Sequence, residues 1–147
     1  MLEGLENIYL KEKPDAVIVY GDTNSTIAGA LAAAKIHIPV IHIEAGLRSF
    51  NKAMPEEINR KIVDHISDVN LPYSNIAREY LLREGLSPDF IVKTGSPMDE
   101  VLSFYKSKID DSDVLQRLKL VRDKYFLVSV HREENVDSEI RLGNLLE

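Results

Sequence analysis

The sequence predicts an α/β fold built on a doubly wound parallel sheet with helices on both faces. Three observations carry this expectation. Short β-branched runs alternate with helical stretches four times between residue 1 and about residue 108. Proline, glycine and capping residues punctuate the alternation. Polar residues able to do chemistry follow directly after the apolar runs, and open α/β sheets bind ligands outside the carboxyl ends of their strands.

Taken in order, Leu2, Leu5, Ile8 and Tyr9 recur at helical spacing, and Pro14 stops that helix. DAVIVY is a strand. Asn24 to Ile36, NSTIAGALAAAKI, is a small-residue helix with a capping residue ahead of it. IPVIHI, residues 38 to 43, is a buried strand. EAGLRSFNKAM is a loop of unusual length for an α/β connection, which suggests a functional segment. Pro55 opens PEEINRKIVDHI at a favoured first-turn position. SDVNLPY reads as a short strand, SNIAREYLLREG as a helix with a glycine stop, FIVKTG as a strand and SPMDEVLSFYKSKI as a helix. KIDDSDV is a polar linker into a short helix, VLQRLKLV. YFLVSV, residues 125 to 130, is a further strand, followed by HREENVDSE and the start of an amphipathic helix. One strand and one partial helix cannot form a stable sheet, so the chain reads as a piece of a larger protein. Residues 1–108 are the later part of one α/β domain. Residues 109–147 are a linker and the first strand–helix unit of a second.

Composition removes several function classes. The 147 residues are 44% apolar, enough for a packed core, and carry a formal net charge of −6. Both signs are spread along the chain, which argues against a general nucleic-acid or membrane-surface binder. A few arginines and helix N-termini could still hold a small anion. The absence of cysteine removes disulfides, thiol nucleophiles and thiolate metal sites. No apolar run approaches the roughly 20 residues of a membrane span, and the N-terminus shows no signal-peptide pattern, so the expected location is cytoplasmic. No HxH or HExxH spacing points to a metal, no GxSxG to a serine hydrolase and no GxxxxGK[ST] to a phosphate-binding loop. Neither a metal nor a cofactor is expected.

The strand ends are where chemistry would gather. Asp22 follows the first strand, Glu44 the second and His131 the last, while Glu56 and Glu57 open the helix at Pro55. Each has an ordinary alternative. Asp22 could cap the next helix, Glu56 and Glu57 could simply favour a helix dipole, and His131 could be a loop histidine. Glu44, directly after an apolar strand, is the hardest to explain structurally. His42 reads as a packed strand histidine, and His37 and His65 as surface or half-buried residues.

GDTNST, HIEAGLRS, MPEEINRKIVDH, KTGSPM and HREEN, in this order and spacing, resemble the non-hydrolysing UDP-N-acetylglucosamine 2-epimerase family. The resemblance runs from about Pro14 to Asp137. It implies a glycosyltransferase-B-like arrangement of two Rossmann-like domains with the active site between them. By the same resemblance this chain would lack the first strand–loop unit of one domain and most of the other. The implied reaction is epimerisation at C2 of a UDP-N-acetylhexosamine, converting UDP-N-acetylglucosamine to UDP-N-acetylmannosamine. It proceeds by elimination of UDP to a 2-acetamidoglucal and re-addition. By motif position the catalytic residues fall on Asp22, Glu44, Glu56 and His131, with Arg48, Arg60, Arg132, Glu134 and Asn135 as substrate-binding candidates. The implied partners are the UDP-sugar substrate and, at full length, a second copy in a homodimer. Three alternatives stay open: a relative forming UDP-N-acetyl-L-fucosamine, a nucleotide-sugar glycosyltransferase, and a truncated, inactive remnant.

Overall fold

The computed structural model describes residues 1–130 and 136–146. It divides into two compact units, Met1–Asp99 and Glu100–Glu147. In the first, α1 (Leu2–Glu12) precedes β1 (Val17–Tyr20), α2 (Asn24–Lys35), β2 (Val40–Ile43), α3 (Pro55–Ile66), β3 (Val69–Leu71) and α4 (Asn75–Arg83), with a 3₁₀ turn at Pro88–Phe90. The three strands are parallel in the order β1-β2-β3, with Val19 opposite His42 and His42 opposite Asn70.

Sequence features explain these elements. Alanine and glycine along α2 bury Ala28, Gly29, Ala30, Ala32 and Ala33, and their small volume lets the helix lie close against β1 and β2. Val19, Ala30, Ala33, Val40 and Val63 form the main core, with Tyr9 of α1 and Ile66 of α3 packed against it. Ala45, Leu81 and Ile91 form a second, smaller cluster.

The three described strands show one face of the expected arrangement: α1, α2 and α3 pack side by side, and the β1 residues Ile18 and Tyr20 on the opposite face are 64% and 56% exposed. The physical reason is handedness. Parallel crossovers are right-handed, so connections that step in one direction, β1 to β2 to β3, put their helices on the same face. The described sheet is therefore one wound half of the predicted arrangement.

FIVKTG adds only a parallel bridge from Ile91 to Asn70, supported by bonds from Val92 N to Asn70 O (3.0 Å) and Thr94 N to Pro72 O (3.1 Å). The anticipated helix after Pro97 begins at the end of the first unit and breaks at Tyr105 into α5 (Met98–Phe104) and α6 (Lys106–Asp110). It is followed by α7 (Val114–Arg117) and α8 (Glu139–Leu146). YFLVSV is not a paired strand: Phe126 is 98% and Leu127 91% exposed. A strand holds its shape through ladder bonds to a neighbour, and no other strand exists among the described residues of the second unit.

Candidate active site

The carboxyl ends of β1 and β2 and the first turns of α3 converge on one polar cluster. Asp22 does not cap α2. Thr23 does, its hydroxyl oxygen accepting from Thr26 N at 3.2 Å, while the Thr26 hydroxyl donates to Tyr20 O at 2.8 Å. The Asp22 carboxylate is thereby released to face α3. Arg60 clasps it, with Nε 2.8 Å and Nη2 2.6 Å from Oδ2. Asn59 donates to the Asp22 carbonyl at 2.8 Å and to Asn24 Oδ1 at 3.1 Å, fixing the backbone on which that carboxylate rides.

Glu44 stands beside it. Its oxygen Oε2 lies against Gly21, and its backbone takes the left-handed conformation, φ 73°, as the chain turns out of β2. A non-glycine residue there carries roughly 1–2 kcal/mol of strain, a pattern that concentrates at functional sites. Burial raises the Glu44 carboxyl above the ordinary range and the nearby Asp22 charge raises it further, while Arg60 and His42 pull it down. Tyr73, just beyond β3, is raised in turn by burial, by Tyr20 and by the Glu44 charge.

Helix α3 carries its chemistry on the inward side. Glu57, Asn59 and Asp64 are buried, whereas Ile58 and Ile62 are 49% and 38% exposed. Glu57 is an anchor. Its Oε2 accepts from Ser49 N (2.8 Å) and Ser49 Oγ (3.0 Å), pinning the loop after β2 to α3. Burial alone would raise its carboxyl, but the Ser49 bonds and Lys61 outweigh it and hold it below the usual range. Its stabilising contribution is therefore fully present above the unfolded carboxyl range and is lost as pH falls through the depressed folded value. Glu57→Gln is expected to cost about 1–3 kcal/mol near neutral pH, with the gap to the parent closing in acid. Urea unfolding at several pH values measures this, and equal midpoints at neutral pH would remove Glu57 as an anchor. Glu56 sits half-buried on the same first turn, four residues before Arg60 and hence on its side of the helix.

A second set of charges runs beneath the first. His42, fully buried, places Nε2 2.9 Å from Gly21 O and Nδ1 2.7 Å from Asp64 Oδ1. Arg48 turns inward: Nη1 donates to Asp64 Oδ2 (2.7 Å) and Leu47 O (2.7 Å), and Nε and Nη2 meet Glu84 at 2.7 and 2.5 Å. Its side chain is wholly buried, and each of its three nitrogens donates to a protein oxygen.

The structure thus brings together Asp22, Glu44 and Arg60, with Glu56 on the adjoining helix turn, and gives Arg48 internal partners. His131, Arg132, Glu134 and Asn135 lie outside the described residues. Asn59, Asp64 and Glu84 escaped sequence reasoning. A signal for Asn59 and Asp64 existed in the polar residues of α3 that recur at helical spacing, but nothing local marks them as inward. Among the described residues no cluster of His, Asp or Glu is arranged for a metal ion, and no helix is long and apolar enough to cross a membrane.

Comparison with known proteins bears on this geometry. The family profile described as UDP-N-acetylglucosamine 2-epimerase matches residues 1–147. A UDP-N-acetylglucosamine 2-epimerase from Methanocaldococcus jannaschii is 46% identical over all of this chain and 41% of its own length. A UDP-2,3-diacetamido-2,3-dideoxy-D-glucuronate 2-epimerase from Pseudomonas aeruginosa is 44% identical over the same shares. Among solved structures, a UDP-N-acetylglucosamine 2-epimerase from Rickettsia bellii superposes with a TM-score of 0.87 at 47% identity, covering 99% of this chain and 39% of that one. The M. jannaschii enzyme in complex with UDP-GlcNAc and UDP gives 0.86 at 44%, covering 99% and 40%. The chain spans about two fifths of the length of these relatives.

Proposed function

Because the chain belongs to the UDP-N-acetylglucosamine 2-epimerase family, we propose that it supplies acid–base residues to an enzyme that inverts C2 of a UDP-2-acetamido sugar. The observation that carries this reading is the pairing of Asp22 and Glu44 at adjacent strand ends, with Glu44 pushed toward its protonated form. C2 of such a sugar has no neighbouring carbonyl to acidify its proton. Inversion is instead achieved by elimination. A carboxylate takes the C2 proton, the C2–H electron pair becomes the C1=C2 double bond, and the C1–O bond to UDP breaks. A UDP oxygen then re-adds to C1 while an acid protonates C2 from the opposite face. The scheme needs one ionised and one protonated group on opposite sides of the ring. Asp22, ion-paired with Arg60, is suited to the first role and Glu44 to the second, with Glu56 completing the set.

Arg60 serves Asp22 and Arg48 serves Asp64, so the cations for the departing diphosphate are assigned to His131 and Arg132. The sugar is held at the class level. The P. aeruginosa and M. jannaschii relatives are nearly equal in identity yet are named for different sugars.

The test is isotopic. The chain, extended to its relatives' length with the remainder of the M. jannaschii enzyme, is incubated with UDP-N-acetylglucosamine in heavy water. Deuterium at C2 of recovered substrate and epimer is expected, and far less from the 147 residues alone. Epimer formed without C2 deuterium refutes the elimination scheme. Sugar transfer without exchange identifies a glycosyltransferase.

A further inference from the structure

The charges beneath the site form a single file: His42, Asp64, Arg48, Glu84. Hydrogen-bond logic sets their states. The Gly21 carbonyl can only accept, so His42 Nε2 carries a hydrogen. Asp64 receives the Gly46 N–H at 3.3 and 3.2 Å and Arg48 Nη1 at 2.7 Å, the surroundings of a carboxylate. Nδ1 of His42, 2.7 Å from that carboxylate, is then a second donor. Two donating ring nitrogens make an imidazolium, and the file alternates in sign. Buried ion pairs of this kind contribute little to net stability compared with apolar replacements, which raises the question of what this one does. Its upper end answers. His42 grips the carbonyl of Gly21, the residue against which Glu44 lies and after which Asp22 projects.

We propose that His42 is a positioning residue of the C2 chemistry: an imidazolium locked between Asp64 and Gly21, it orients the Gly21–Asp22 turn and places its positive charge behind Glu44. The proposal rests on the reaction proposed above, and its function is to set the proton affinity of the acid. Four groups face Glu44: Asp22 at the end of β1, His42 from β2, Arg60 from α3 and Tyr73 beyond β3. Asp64 faces His42 from α3, with Arg48 behind it and Glu84, itself near His65, behind that. Of these, His42 is the buried cation directly bonded to the peptide beneath the carboxylate.

The experiment follows the Glu44 carboxyl by carbon NMR in the extended protein and in His42→Gln, which keeps one donor for Gly21 O and loses the charge. The Glu44 titration midpoint is expected to rise by about one pH unit. The alkaline limb of the kcat profile, which reports the group that must stay protonated, should move with it and KM should change little. Rescue by a conservative change is not expected, since no other side chain offers two donors in this geometry. An unchanged Glu44 midpoint in a folded variant overturns the proposal. If His42→Gln does not fold, the ring nitrogens of the unmodified protein decide. Each is expected to carry a bonded hydrogen, Nε2 toward Gly21 O and Nδ1 toward Asp64, and a bare Nδ1 overturns the proposal. These NMR readings do not need turnover. A protein without C2 exchange but with the expected midpoints refutes the proposed reaction and leaves the charge arrangement standing.

Discussion

Glu44→Gln, in the protein extended to its relatives' length, is expected to lower turnover by about a hundred- to ten-thousand-fold, the usual contribution of a general acid or base. The fold should survive, because the substitution keeps the shape of a half-buried side chain and the backbone conformation, φ 73°, that residue 44 already adopts. The sign of the stability change separates a site residue from a structural one. Burial and Asp22 raise the folded Glu44 carboxyl above its unfolded value, so ionising it opposes folding. That opposition is absent below the unfolded carboxyl range, grows as pH rises from there through the raised folded value, and is complete above it. Glu44→Gln removes it. The variant should therefore unfold at an equal or higher temperature than the parent at neutral pH, with the advantage vanishing in acid. Parallel assays of C2 exchange and thermal unfolding decide the matter. An active variant would reduce Glu44 to a turn residue. An inactive variant that is also markedly less stable at neutral pH would show that its carboxylate holds the fold together.

Gly46→Ala should be the most damaging small change to the fold. A methyl group there would sit 2.4 Å from Ala77 O and 3.0 Å from Leu81 Cγ, on a residue at φ 78°. The obstacle is the backbone of α4, which cannot rotate aside as a side chain can. Left-handed strain of roughly 1–2 kcal/mol and overpacking of about 1–3 kcal/mol act together, against a total stability of about 5–15 kcal/mol for an ordinary domain. The loss should reach about 3–5 kcal/mol. Gly85→Ala provides the control: its φ is 90° but nothing lies within 4 Å of the added carbon, so only the conformational part should appear. Chemical denaturation of both variants gives the comparison. Equal losses would mean that the close approach of the loop to α4 carries no weight. The Gly46 amide also donates to Asp64, so displacing it should loosen the buried file that ends under Glu44.

Much of this protein was legible in one dimension. Helix α3 begins at Pro55 and runs to Ile66 as anticipated, because proline is tolerated on a first turn and the polar and apolar residues recur at helical spacing. Strands β1, β2 and β3 fall inside the anticipated runs, and Asp22 and Glu44 stand at their carboxyl ends, where parallel sheets leave side chains free for ligands. Local pattern suffices for such features because period and punctuation are properties of neighbouring residues.

Partnership is not such a property. Thr23 rather than Asp22 caps the helix, and the Asp22 carboxylate is left to pair with Arg60, 38 residues away. Glu57 and Glu56 are adjacent and chemically identical, yet only packing made Glu57 the anchor of Ser49. Arg48, read as a substrate contact, turned inward to Asp64 and Glu84, and His42 gained its two acceptors from other elements. YFLVSV kept strand composition without becoming a paired strand, since a ladder needs a second strand. The sequence by itself determined the elements, their order and the residue types at the strand ends. Only the tertiary structure decided which charges pair, which are buried and which remain to do chemistry, because ion pairs and burial depend on distance through space rather than along the chain.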